Sequence, residues 1–223
     1  MTDSSLQRLN MVESQVRPSD VTDRRIIKAM LEVPREAFVP AALAPLAYMD
    51  QAVPLSAGAN GRGARHLLAP RTFAKLVQAA EIDERATVLD VGCASGYSTA
   101  VLAKIAALVV GLESDKALAA TARRMLETLR LANVQIVEGA LAAGAPGAAP
   151  FDAILLNGAV PAVPQALLEQ LKDGGRLAAI VNDGPLCRAR LWRRSGTGFA
   201  ERAAFEAGAE PLPGFTAPAG FVF

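Results

Sequence analysis

Residues 87–97 read Thr87-Val88-Leu89-Asp90-Val91-Gly92-Cys93-Ala94-Ser95-Gly96-Tyr97. A short β-branched run enters a glycine turn, and the spacing of apolar residues beyond it predicts a helix over 98–105. A strand, a glycine turn and a helix in that order bring a ligand against bare backbone N–H groups at the C-terminal edge of a parallel sheet. A P-loop would end in Gly-Lys-Ser/Thr, but Tyr97-Ser98 follows Gly96. A dinucleotide fingerprint would put glycine or alanine at position 97, where Tyr97 blocks close helix–strand packing. The spacing is instead Asp90-x-Gly92-x-Ala94-x-Gly96. A glycine turn can also stand without any ligand, so a second signal is needed. Glu113 supplies it: it ends the next apolar run, Leu108-Val109-Val110-Gly111-Leu112, where an acidic residue in this topology reaches a ribose diol. Together the turn and Glu113 point to an adenosine-containing ligand with no phosphate requirement.

The same alternation continues downstream. Helix is expected over 116–129, strand over 134–137 and 151–156, helix over 164–171 and strand over 176–181. Near-continuous apolar strands alternating with helices imply a parallel sheet covered on both faces. Upstream, residues 5–33 read as helical, with Thr22 as a cap and Ile26, Ile27, Met30 and Val33 as an apolar stripe. Four prolines between 34 and 55 break regular structure, residues 57–64 are glycine-rich, and Pro70 opens a helix through Phe73, Leu76 and Val77. At the other end, Cys187, Ala189 and Leu191 alternate with Arg188 and Arg190; Phe199, Ala203 and Phe205 are expected on one face of a returning strand. The expected fold is α/β, a doubly wound, mostly parallel, Rossmann-like sheet over 81–223. An N-terminal helical segment over 1–80 forms part of the cleft, and an antiparallel hairpin closes the C-terminus.

Composition narrows the function classes. The 223 residues carry 23 Lys+Arg against 22 Asp+Glu, a net charge of +1 that leaves no electrostatic footprint for nucleic acid. Apolar residues make up 52%, against disorder, yet no run reaches the ~18 apolar residues of a spanning helix. The polar stretch 1–15 has no apolar region of a secretory signal, and two cysteines make no disulfide framework. A cytoplasmic, membrane-free protein without metal-ligand spacing is the expectation.

Several blocks belong together: Met11-Val12, then Pro34-Arg35-Glu36-Ala37-Phe38-Val39-Pro40, Ala47-Tyr48-Met49-Asp50, the glycine turn with 97–103, Pro150-Phe151-Asp152-Ala153-Ile154, and 170–177. They resemble one family, the protein-L-isoaspartate O-methyltransferases that use S-adenosylmethionine. The resemblance implies a class I methyltransferase fold and methyl transfer from S-adenosylmethionine to isoaspartyl carboxylates of damaged proteins or peptides. On it, Asp90, Gly92, Cys93, Ala94, Ser95, Gly96, Glu113, Ala140 and Leu141 hold the cofactor. A carboxylate, with a pKa around 3.9, is ionised at neutral pH and needs no general base, which suits a chain with one histidine.

Three departures from the family pattern stand out. Leu68 occupies the place of the family serine beside the reacting carboxylate, with His66 as a candidate replacement and Arg65 or Arg71 adding charge. Gly139-Ala140-Leu141 stands where the family has Gly-Asp-Gly, and Ala94 replaces a glycine. Two further readings therefore stay open: a cofactor-binding scaffold or regulatory module, and a methyltransferase of another acceptor. The oligomeric state is not written in these residues.

Overall fold

The computed structural model describes residues 3–56, 63–182 and 187–216. Helix α1 (Asp3–Met11) runs through a π-helical turn (Val12–Val16) and a 3-10 turn (Arg17–Ser19) before α2 (Arg24–Glu32). Asp20 at φ +63° separates the two halves. The cap of α2 is Asp23, whose side chain accepts from Arg25 N at 2.8 Å. Thr22 stands one residue before the cap, and its amide and that of Asp23 both donate to Gln78 Oε1, at 2.7 and 3.1 Å. Two 3-10 turns (Arg35–Phe38 and Ala41–Leu46) take up the proline-rich stretch. Strands β1 (Val53–Ser56) and β2 (Arg65–Leu67) then pair antiparallel ahead of α3 (Pro70–Ala79). Of the glycine-rich stretch 57–64, residues 57–62 lie outside the described residues.

The core is a seven-stranded sheet built from β3 (Thr87–Val91), β4 (Leu108–Glu113), β5 (Val134–Glu138), β6 (Phe151–Val160), β7 (Leu171–Asn182), β8 (Cys187–Ser195) and β9 (Gly198–Glu206). Its order is β5-β4-β3-β6-β7-β8-β9; the first five strands run parallel and the last two antiparallel. The chain moves outward from β3 to β5 and then crosses back to place β6 on the other side of β3. That reversal opens a crevice at the C-terminal ends of β3 and β6, the position where open α/β sheets take ligands.

Alternation along the strands divides the core. Val88, Val109, Leu155 and Ile180 face a cluster shared with the N-terminal helices, α3 and α4 (Tyr97–Leu102). Leu89, Val91, Val110, Leu112, Ile154 and Leu177 face the other side, with Trp192. The small Ala119 and Ala122 of α5 (Lys116–Thr128) let that helix lie close to the sheet.

Several boundaries differ from those expected. Helix α6 spans only Gln165–Leu168, because β7 is already paired at Leu171 with Phe151. Residues 172–175 oppose Asp152 alone and leave the ladder, with Gly174 at φ +77° making the turn that any side chain there would strain. In the hairpin, Ala204 is an extra residue between the pairs Ala189↔Phe205 and Arg190↔Ala203. That bulge flips the alternation, so Phe205 packs with the helical cluster and Phe199 with the opposite one, rather than on one shared face. Among the described residues no helix is long and apolar enough to cross a membrane, and no group of side chains could hold a metal ion.

Candidate functional site

The turn after β3 is made by Gly92, Ala94 and Gly96, at φ +73°, +52° and +95°. Glycine takes this region freely; Ala94 takes it at a cost of about 1–2 kcal/mol, held by the bonds around it. Gly92 N and Cys93 N donate to Leu112 O at 2.8 and 3.1 Å, and Gly96 N closes the turn on Cys93 O at 2.8 Å. Ala94 N donates to Glu113 Oε2 at 2.8 Å. The second strand end thus fastens the loop of the first.

Asp90 lies beneath this turn and is fully buried. Its Oδ2 accepts from Ser98 Oγ at 2.7 Å and Thr99 Oγ1 at 2.6 Å, and its Oδ1 from Asn157 Nδ2 at 2.5 Å. These bonds pin α4 and the end of β6 to β3. Burial pushes the Asp90 carboxyl above the usual carboxylate range. The folded state therefore holds this proton to higher pH than the unfolded chain does, and stability falls as pH rises from ~4 through the raised pKa. Asp90→Asn removes that fall. In urea unfolding across a pH series, the stability of the variant relative to the parent should climb through this window and level off above it. A pH-independent difference would contradict the assignment.

Glu113 is also fully buried. Its Oε1 accepts from Ser114 N at 2.8 Å and Asp115 N at 3.0 Å. Its Oε2 takes Ala94 N and, from β2, Arg65 Nη2 at 3.0 Å and Nε at 3.3 Å. Arg65, 2% exposed, also donates from Nη2 to Gly92 O at 2.7 Å. Leu212 covers the same turn: its N donates to Ala159 O at 2.8 Å, and a methyl group on Gly92 would lie 2.9 Å from its Cδ2.

The N-terminal segment walls the other side. Ser95 Oγ donates to Phe38 O at 2.6 Å, so this side chain ties the turn to the Pro34–Pro40 block and is already engaged. Arg35 is buried, donating from Nε to Ala47 O at 2.7 Å and from Nη2 to Leu68 O at 2.6 Å, with its guanidinium 4.7 Å from the Tyr97 ring centroid. Burial lowers its pKa, and its Nη1 has no hydrogen-bond partner among the described residues. A cavity of about 10 Å³, room for a single water, is bounded by Arg35, His66, Leu68, Gly92, Tyr97 and Asn157, among others.

The structure brings Leu68 and His66 to that cavity. His66 sits on β2, opposite Pro54, and its Nδ1 is buried with no hydrogen-bond partner among the described residues. Arg71 is elsewhere, paired with Asp50 at 3.3 Å. Cys93 is buried beneath the turn, and burial pushes its thiol well above the usual range, so it is no nucleophile. Gly139 N donates to Glu113 O at 3.0 Å, which sets Ala140 and Leu141 just past the strand ends. Ala140 is exposed and apolar, and Leu141 packs into the core, so neither side chain can read an amino group. Asn157, Arg35 and Leu212 were not foreseen: Asn157 is 67 residues from Asp90, and only the sheet order joins them.

No lysine stands on the turn to meet a phosphate, and a carboxylate ends the next strand. This donor and acceptor set fits an adenosyl group held through its ribose. The family model for protein-L-isoaspartate(D-aspartate) O-methyltransferase matches residues 7–204. A protein-L-isoaspartate O-methyltransferase of Herpetosiphon aurantiacus is 40% identical over 177 residues, covering 79% of this chain and 76% of the relative. One of Methylorubrum populi is 40% identical over 203 residues, covering 91% and 92%. A solved protein-L-isoaspartate O-methyltransferase superposes with a TM-score of 0.79 at 26% identity, over 96% of this chain and 66% of that one. A second, from Plasmodium falciparum in complex with S-adenosyl-L-homocysteine, gives 0.76 at 19% identity, over 96% and 100%, and shows the shared fold.

Proposed function

The chain belongs to the protein-L-isoaspartate(D-aspartate) O-methyltransferase family, and on that premise we propose that it is an S-adenosylmethionine-dependent carboxyl O-methyltransferase acting on isoaspartyl residues of damaged proteins and peptides. The observation that carries the reading is the fastening of the Gly92–Gly96 turn by Glu113, a carboxylate at the second strand end beside a turn of left-handed residues. When bound, the cofactor supplies a methyl group on a sulfonium centre, which an ionised carboxylate can take without a base. Glu113 would accept from the ribose hydroxyls. Asp90, through Ser98, Thr99 and Asn157, holds the turn rigid beneath the reacting groups. Ala140 and Leu141 leave the adenine edge to main-chain contacts. Arg35, Tyr97 and His66 wall the acceptor side, where the unpartnered Arg35 Nη1 is a donor for a carboxylate. Both cysteines are free thiols, which suits a cytoplasmic location.

Labelled-methyl transfer to an isoaspartyl peptide, beside the matched aspartyl peptide, tests the reading. Base-labile label in the first and not the second is expected; no label in either would overturn it. Leu68→Ser sharpens the test. Leu68 is buried against Arg35 and offers an anion no donor. A hydroxyl there restores a charge-assisted hydrogen bond, and kcat/KM for the isoaspartyl peptide should rise by ~10-fold or more. An unchanged value would remove Leu68 from the acceptor pocket.

A further inference from the structure

Arg65 stands where the nucleoside should enter. Its guanidinium holds Glu113 Oε2 through two nitrogens and Gly92 O through one of them. A methyl group on Gly92 would lie 2.7 Å from Arg65 Nη2, so the guanidinium rests directly on the open face of the turn. With Arg65 in place Glu113 has no exposed surface, and three backbone amides, those of Ala94, Ser114 and Asp115, share its two oxygens.

We infer that Arg65 is a built-in plug of the cofactor seat, and that a nucleoside cofactor binds only as Arg65 swings off Glu113. The inference rests on the assignment of Glu113 as the ribose carboxylate made above. The exchange is chemically even-handed for Glu113: two ribose hydroxyls replace the two guanidinium N–H groups that Oε2 now accepts, and the carboxylate is never left bare. Arg65 is the group that loses. A buried ion pair broken without replacement is costly, so the competent state is a minor one and the apparent affinity is reduced by its population. Arg65 thus sets cofactor affinity without touching the reacting atoms. Its side chain reaches the seat from β2, two residues before Leu67 and three before Leu68 in the acceptor wall.

Calorimetric titration of S-adenosylhomocysteine into the full chain tests this with the parent, Arg65→Ala and Arg65→Gln. Both variants should bind at least ~10-fold more tightly than the parent, since neither has a charge to displace. Glutamine keeps a neutral donor near Glu113, so it remains informative should the alanine variant fail to fold. In the parent, the Arg65 Nε–H resonance should move on saturation as the Glu113 contact is lost. Equal or weaker binding by a folded variant overturns the plug, and weaker binding would mean that Arg65 grips the cofactor. If neither parent nor variants bind, Arg65 is not what closes the seat, and the cofactor reading falls with the plug. Tighter binding by the variants without methyl transfer to an isoaspartyl peptide leaves the plug standing and overturns the proposed acceptor alone.

Discussion

Glu113→Ala should abolish measurable S-adenosylhomocysteine binding and lower unfolding stability by about 3–5 kcal/mol. The stability loss follows from what the carboxylate holds: the Arg65 guanidinium, 2% exposed, and the amides of Ala94, Ser114 and Asp115. Removing one member of a buried pair leaves the other as an uncompensated charge, and that dominates over the lost attraction itself. The binding loss follows from the ribose: two hydroxyls donating to a charged acceptor are worth about 1.5–3 kcal/mol each, or ~100-fold and more in affinity together. The two effects can be separated. In Arg65→Ala/Glu113→Ala no buried charge is orphaned, so much of the stability should return while binding stays lost. Urea unfolding and calorimetry on the same preparations read both. A single variant with near-parental stability would mean that the pair is open to water in solution.

Gly96→Ala should cost about 2–4 kcal/mol and disturb the turn. Gly96 has φ +95°, and a Cβ there would lie 3.0 Å from Ala122 Cβ and 3.2 Å from Ala122 Cα. The left-handed backbone costs an L-residue about 1–2 kcal/mol, and overpacking against α5 adds about 1–3 kcal/mol. The neighbour cannot yield cheaply, because it is helix backbone and an alanine already cut to the smallest side chain. Ala94 provides the contrast within the same turn: it carries a side chain at φ +52° and is tolerated, with its amide fastened to Glu113. A change below about 0.5 kcal/mol in Gly96→Ala, by denaturant unfolding, would show that α5 moves away.

The sheet was legible because its signal is local. Five apolar runs, a glycine turn and an acidic strand end occur in the order that the parallel strands need, and β3, β4 and β6 fall where the runs do. Features that misled were those decided by one competing side chain or one extra residue. Thr22 and Asp23 are both good cap residues, and the helix starts at Arg24, which makes Asp23 the cap and leaves Thr22 one residue outside. Nothing in the spacing of Phe199, Ala203 and Phe205 discloses the bulge at Ala204 that puts the two phenylalanines on opposite faces. In the site, Glu113 and the turn were readable as a motif, while their partners were not. Arg65, Asn157 and Leu212 arrive from 48 residues before Glu113, 67 after Asp90 and the tail. Arg65 could be read as a charge near the acceptor, but its direction, onto the Glu113 carboxylate, depends on the pairing of β2 with β1.

The most direct measurement of where the cofactor sits is a crystal structure with S-adenosylhomocysteine bound. The expected result places both ribose hydroxyls within hydrogen-bond distance of the Glu113 carboxylate, with the Gly92–Gly96 turn beneath the nucleoside and the Arg65 guanidinium withdrawn. A nucleoside seated elsewhere, or one bound while Arg65 still holds Glu113, would contradict it.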